Sequence, residues 1–132
     1  MLALIIISYF FNEYYQNFKF LYFFISIVGH VFPIWLMFKG GKGVACFFGG
    51  FLIISPIPTL ISMAVWMVTV KITKISSLGA LLSIFLLTSY QIVSNYGTLN
   101  KGTIFAIMLL IFWKHNENIK RLIQGKENKI NL

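Results

Sequence analysis

Charge is scarce in this sequence, and negative charge is nearly missing. Only 11% of the 132 residues are charged, 11 of them basic and 3 acidic. Hydrophobic residues make up 58%, and the mean hydropathy is +0.84. A soluble domain of this length could not hide that much apolar surface, so the poverty of charge points to lipid as the solvent. The chain reads as a single integral membrane domain over residues 1–132. The expected fold is all-α, a polytopic helix bundle with some short helices.

Cysteine and histidine are also scarce. The lone Cys46 excludes an intrachain disulfide, and its apolar setting suits a small buried hydrophobe. His30 and His115 lie far apart with no ligand pattern around either, so no metal site is expected. The net charge of +8 would suggest nucleic acid in a soluble protein. Here the charges stand at the ends of apolar runs, and no basic face is interleaved with aromatics. Orientation in a bilayer and phosphate binding account for them better, with membrane lipid as partner and no nucleic acid. Residues 2–11 lack the basic start and small-residue cleavage site of a signal peptide. They also fall short of the roughly 20 residues that span a bilayer, and look like the end of a helix.

Five apolar stretches are present, at about 1–11, 20–38, 44–70, 78–94 and 99–113. The breaks are NEYYQNFK at 12–19, KGGKG at 39–43, KITKISS at 71–77, NYGTLNKG at 95–102, and the tail from Lys114. The third stretch is long for one crossing and short for two. Pro56 and Pro58 lie in its middle, each lacking an N–H, so two short helices of about 12 residues should turn out and back there. Helices that short are tolerated inside protein or beside a cavity.

The lysines support this hairpin. With KGGKG, KITKISS and the tail on one side, that side holds Lys39, Lys42, Lys71, Lys74, Lys114, Lys120, Arg121, Lys126 and Lys129. Those are 9 of the 11 basic residues; Lys19 and Lys101 lie opposite. The rich side is expected to be cytoplasmic. The tail should form a short amphipathic helix with Ile119, Leu122 and Ile123 on one stripe and Gly125 as its stop. Ionisable residues inside spans mark ion paths, and only His30 qualifies, which argues against a channel subunit.

Three segments on that face could carry chemistry. In KGGKG, Gly40, Gly41 and Gly43 permit positive φ and let backbone N–H groups converge on an anion. The helix expected from Val44 adds its dipole, and Lys39 and Lys42 add charge. It is not a P-loop, because Gly43 follows Lys42 where Ser or Thr is needed. The same residues also suit a plain membrane-edge turn. His30 is either functional or a helix–helix hydrogen-bond partner, and Pro33 is expected to kink its helix. Ser77 is either an N-cap or a phosphate contact. In the tail, His115, Asn118 and Arg121 recur every three residues, so a helix can present the first two together. The tail also suits a solvated basic helix over anionic headgroups, the plain reading for Lys120 and Lys126.

Together these segments resemble the bacterial glycerol-3-phosphate acyltransferases that use acyl-phosphate, the PlsY family. GHVFPIWLMFKGGKGVA at 29–45 is similar to that family's second motif throughout. HNENIKRLIQGKE is similar to the third signature, with His115, Asn118, Arg121 and Glu127 matching, and ISSLGAL supplies Ser77. The family's first motif, S-G-N-x-G-x-T-N, has no counterpart, and residues 1–11 resemble the end of its second helix.

The resemblance implies acyl transfer from acyl-phosphate to the 1-hydroxyl of sn-glycerol 3-phosphate, in phospholipid synthesis at the bacterial inner membrane. It implies no coenzyme A, metal or nucleotide. His115 and Asn118 would be the catalytic residues. Lys39, Gly40, Gly41, Lys42, Gly43, Ser77, Arg121 and Glu127 would hold phosphate, with His30 in support. The proton acceptor would be His115 or an oxygen of the donor phosphate, and the bundle would hold the acyl chain. The first motif would come from a partner chain or an upstream segment. The other reading is a truncated, non-catalytic relative that binds phosphate or lipid precursors in the membrane.

Overall fold

The computed structural model describes residues 12–38, 40–94 and 97–131, with 12–17 described by their backbone alone. The apolar run 1–11 and Lys39 lie outside the described residues.

Six α-helices are seen among the described residues: α1 (Asn12–Val31), α2 (Val44–Ile54), α3 (Pro56–Thr73), α4 (Ser76–Val93), α5 (Thr98–Lys114) and α6 (Asn116–Ile123). The expected hairpin is present. Pro56 is the first residue of α3, where a missing N–H costs nothing, and Ser55 alone separates α2 from α3. The two arms are unequal, with 11 residues in α2 and 18 in α3. The second arm outruns the expected 12 because α3 continues through Lys71 to Thr73. The KITKISS loop thereby shrinks to Lys74 and Ile75 between helices. NEYYQNFK, expected as a break, belongs to α1.

The windows Phe18–Leu36, Pro56–Thr73 and Ser76–Val93 are long and apolar enough to cross a membrane. At 1.5 Å per residue, α2 reaches only about 16 Å, roughly half the hydrocarbon core. It is tolerated because it packs inside protein. Phe47 and Phe51 are fully buried, and Phe51 meets Phe23 of α1 edge-on at 5.1 Å. Lipid supplies no hydrophobic drive between helices, so ring packing and short polar contacts hold the bundle. One such contact is the Ser62 hydroxyl donating to the Ser83 carbonyl, buried between α3 and α4 at 2.6 Å.

The chain turns back from α2 to α3 and from α3 to α4, and α1 lies against α5, where the rings of Phe32, just past the end of α1, and Trp113 lie 6.0 Å apart. The C-termini of α1, α3 and α5 therefore share one end with the N-termini of α2 and α4. Every described motif residue from His30 to Glu127 gathers at that end.

Pro33 does more than kink a helix. The chain leaves α1 at Val31 and forms a 3-10 turn over Ile34–Leu36. It then returns to the helix end at Gly40. A Cβ on Gly40 would stand 2.5 Å from Pro33 Cδ and the Val31 carbonyl oxygen, and closer still to the His30 carbonyl oxygen. Only glycine fits so close an approach.

Candidate functional site

Gly43 has φ +82°, a left-handed conformation, and directs the chain from the glycine turn into α2. Lys42 is thereby set at the head of that helix. Its ammonium donates to Asn118 Oδ1 at 2.6 Å. Asn118 is buried on α6, and its amide nitrogen donates to Glu127 Oε1 at 2.5 Å. The same oxygen accepts the Ser77 hydroxyl at 2.7 Å, and Oε2 accepts Arg121 Nε at 2.7 Å. A lysine only donates and a carboxylate only accepts, so the two together fix which way the Asn118 amide faces.

The Glu127 side chain is 6% exposed. Burial pushes its pKa upward. Hydrogen bonds from Asn118, Arg121 and Ser77, with the Arg121 charge, outweigh burial and hold it at about 2. The carboxylate is therefore ionised at neutral pH. It reaches the site through the turn at Gly125 (φ +66°), where Lys126 N–H returns to the Arg121 carbonyl at 2.8 Å. Beyond it, Ile130 N–H binds the Lys74 carbonyl at 2.8 Å and straps the tail across the α3–α4 connection.

His115 is 2% exposed, at the junction of α5 and α6. Its Nδ1 lies 2.8 Å from the Ile111 carbonyl oxygen, an acceptor only. Nδ1 therefore carries the proton and Nε2 is left with its lone pair. Burial lowers the pKa, and the Lys42 charge lowers it further, against the Ile111 hydrogen bond and the Glu127 charge. The ring is neutral at neutral pH.

A cavity of about 850 Å³ joins these groups. Its head is lined by Lys42, Ser76, Ser77, His115, Asn118 and Arg121. Its body is apolar, formed by Phe48, Leu52, Met63, Trp66 and Ala80. The first residues of α2 and α4 line the head, and neither helix start has a side-chain cap. Two positive helix ends, a lysine and an arginine therefore converge on one polar chamber, an arrangement suited to an anion. The apolar body suits a hydrocarbon chain attached to that anion.

Of the residues singled out from sequence, Lys42, Ser77, His115, Asn118, Arg121 and Glu127 all line this cavity. Ser77 does not cap α4; Ile75 holds the N-cap position, and the Ser77 hydroxyl serves Glu127. The His30 side chain is exposed and makes no hydrogen bond among the described residues. It lies against the glycine turn, its Nε2 3.1 Å from where a Gly41 Cβ would stand. Lys120 pairs with Glu117 at 3.4 Å on the exposed face of α6. Sequence reasoning expected the bundle to hold an acyl chain but named none of the residues that form this apolar body. Phe48, Leu52, Met63 and Trp66 belong to no motif, and only the folding of the hairpin brings them together.

Comparison with known proteins bears on the family and the fold. The sequence matches the family described as Glycerol-3-phosphate acyltransferase over residues 1–125. A glycerol-3-phosphate acyltransferase of Ruthia magnifica subsp. Calyptogena magnifica is 43% identical over 107 residues, covering 81% of this chain and 54% of that one. One from Ehrlichia chaffeensis is 38% identical over 118 residues, covering 89% of this chain and 60% of that one. The crystal structure of PlsY (YgiH), an integral membrane glycerol 3-phosphate acyltransferase, in its glycerol 3-phosphate form superposes with a TM-score of 0.82 at 31% identity. The match covers 98% of this chain and 64% of that one. The lysophosphatidic acid form of the same protein gives a TM-score of 0.81, with 65% of that chain covered. The chain spans a little over half the length of these curated relatives. On the family match and the shared membrane fold, the chain is a multi-pass membrane protein that belongs to the glycerol-3-phosphate acyltransferase family.

Proposed function

We propose that this chain transfers an acyl group from acyl-phosphate to the 1-hydroxyl of sn-glycerol 3-phosphate, releasing inorganic phosphate and making lysophosphatidic acid. The observation that carries this reading is the single cavity whose cationic head continues into an apolar body. An acyl-phosphate is an anion joined to a hydrocarbon chain, and each half has a matching wall. Support comes also from the similar PlsY structures, which are glycerol 3-phosphate and lysophosphatidic acid forms of that protein.

In this reading the substrate hydroxyl attacks the acyl carbonyl carbon. A carbon–oxygen bond forms there, and the bond from that carbon to the phosphate oxygen breaks. The phosphate is already a good leaving group, so the protein mainly positions two anions and neutralises charge. Lys42 and the Gly40–Gly43 turn hold phosphate, with Lys39 adjoining, and His30 supports the turn. Ser77 and Arg121 extend the cradle, and Asn118 orients substrate beside Lys42. Glu127, itself an anion, contributes by holding Ser77, Asn118 and Arg121 rather than by touching phosphate. The bare Nε2 of a neutral His115 takes the hydroxyl proton. A phosphate oxygen of the donor is the competing acceptor, and a His115→Ala protein that retains full turnover would assign the step to it.

The site end carries the large excess of lysine, so it faces the cytoplasm of a bacterial plasma membrane in this reading. A thiol probe should reach cysteines placed at positions 41 and 74 from that same side. A partner chain bearing the S-G-N-x-G-x-T-N segment belongs to the same reading, and increased turnover on adding that segment as a peptide tests it.

The binding half of the proposal is tested with a monoalkyl phosphate and an alkyl trimethylammonium of equal chain length, titrated into the chain held in lipid nanodiscs. The phosphate should raise the unfolding temperature and the cation should not. Equal effects would reduce the cavity to a nonspecific apolar groove.

A further inference from the structure

Residues Ile34–Phe38 form a protruding loop that the site does not use. Its ends are closed: Phe38 N–H binds the Pro33 carbonyl at 3.0 Å, and Gly40 packs back on the end of α1. Pro33 is buried at its base. The five residues beyond it are apolar and all exposed, Trp35 by 80% and Met37 by 83%. On the spanning helices, exposed apolar residues share a helix with buried ones. This loop turns no residue inward. It also holds Met37 and Phe38 at φ +49° and +62°, a left-handed conformation that costs non-glycine residues about 1–2 kcal/mol each. A strained loop that presents only apolar side chains needs an apolar contact to offset its cost.

We propose that Ile34–Phe38 is an interfacial foot, seated in the boundary between headgroups and acyl chains of a phospholipid leaflet. Three observations favour lipid as the occupant. The loop continues from the end of a spanning helix, so it lies at the level where that span leaves the hydrocarbon. Beside its base stands an aromatic and cationic cluster of the interfacial kind. There Lys114 Nζ lies 5.1 Å from the ring of Phe32 and 5.8 Å from that of Trp113, which is 61% exposed. Finally, charge disfavours a second copy of the chain. Pairing foot to foot would bring two sets of Lys42 and Lys114 together, whereas headgroup phosphates complement them. The foot thereby sets the depth of the glycine turn that follows it, at the level of lipid phosphates.

The test uses the full chain in phospholipid vesicles. Trp66→Phe with Trp113→Phe leaves Trp35 as the only tryptophan. Its emission should be quenched more by lipids brominated near the headgroup than by lipids brominated near the chain end, and little by aqueous iodide. Dominant iodide quenching would put the foot in water, and quenching strongest from deep bromines would put it in the core. Protection from all quenchers would seat it on protein. Each of these overturns the proposal. A nitroxide on Leu36→Cys, with Cys46→Ser, gives the same answer with the tryptophans intact. Its relaxation should respond to dissolved oxygen more than to an aqueous nickel chelate, and the reverse order contradicts the foot.

Discussion

The ammonium of Lys42 and the side-chain oxygen of Asn118 lie 2.6 Å apart, although 76 residues separate them in the chain. This hydrogen bond ties the glycine turn to the carboxyl-terminal helix, and both contributions to the cavity head depend on it. Replacing Lys42 by Ala removes one cation and one charge-assisted hydrogen bond. Such bonds contribute about 1.5–3 kcal/mol, so affinity for a monoalkyl phosphate should fall by roughly 10- to 100-fold. Titration of the variant in nanodiscs checks this, with its unfolding temperature as the control for folding.

Glu127 makes acid stability a readout of the site. Its pKa drops from an ordinary 4.5 to about 2 in the folded chain. The unfolded chain therefore takes up the proton first as pH falls. The stabilisation is complete above about 4.5 and is lost progressively toward 2. The wild-type unfolding temperature should drop across that window. Glu127→Gln should be less stable at neutral pH, with a flatter acid limb. Thermal unfolding in detergent at a series of pH values measures both.

His115 sets the expected pH dependence of turnover. Burial lowers its pKa below the usual 6.5, so Nε2 keeps its lone pair into mildly acid solution. The acid limb of the rate should therefore lie below pH 6.5. His115→Gln should lower kcat by about 10²- to 10⁴-fold and abolish that limb. A rate profile of the two proteins, with KM measured separately, checks this.

The hairpin and the shared face were legible in the sequence because their signals are local or additive. Pro56 lacks an N–H wherever the chain goes, and lysines at run ends sort themselves by side. The motif residues were legible through resemblance, and all but Lys39, which lies outside the described residues, stand at the cavity or against the glycine turn beside it. What could not be read depends on distant approach. Ser77 and Glu127 are 50 residues apart, and nothing near either one marks the partner. Gly40 returns to pack on the end of α1 beside Pro33, a contact that no periodicity announces. Phe48 and Trp66 become cavity walls only once α2 folds back on α3, where their rings lie 6.3 Å apart.

Gln91 offers a test of the bundle away from the site. Its side chain is fully buried on α4, and neither its oxygen nor its nitrogen has a partner among the described residues. A buried polar group left unpaired costs about 1–3 kcal/mol. Gln91→Met, similar in volume and free of that cost, should therefore raise the unfolding temperature in detergent without changing phosphate affinity. A lower unfolding temperature would show that Gln91 is satisfied in the membrane.

The most direct measurement is acyl transfer itself. The purified chain in lipid vesicles, with the S-G-N-x-G-x-T-N segment supplied as a peptide, is given acyl-phosphate and labelled glycerol 3-phosphate, and labelled lysophosphatidic acid is counted against released phosphate. The account predicts equal amounts of the two products, and neither from Lys42→Ala. Phosphate release without labelled lipid, no turnover at all, or undiminished transfer by Lys42→Ala would contradict it.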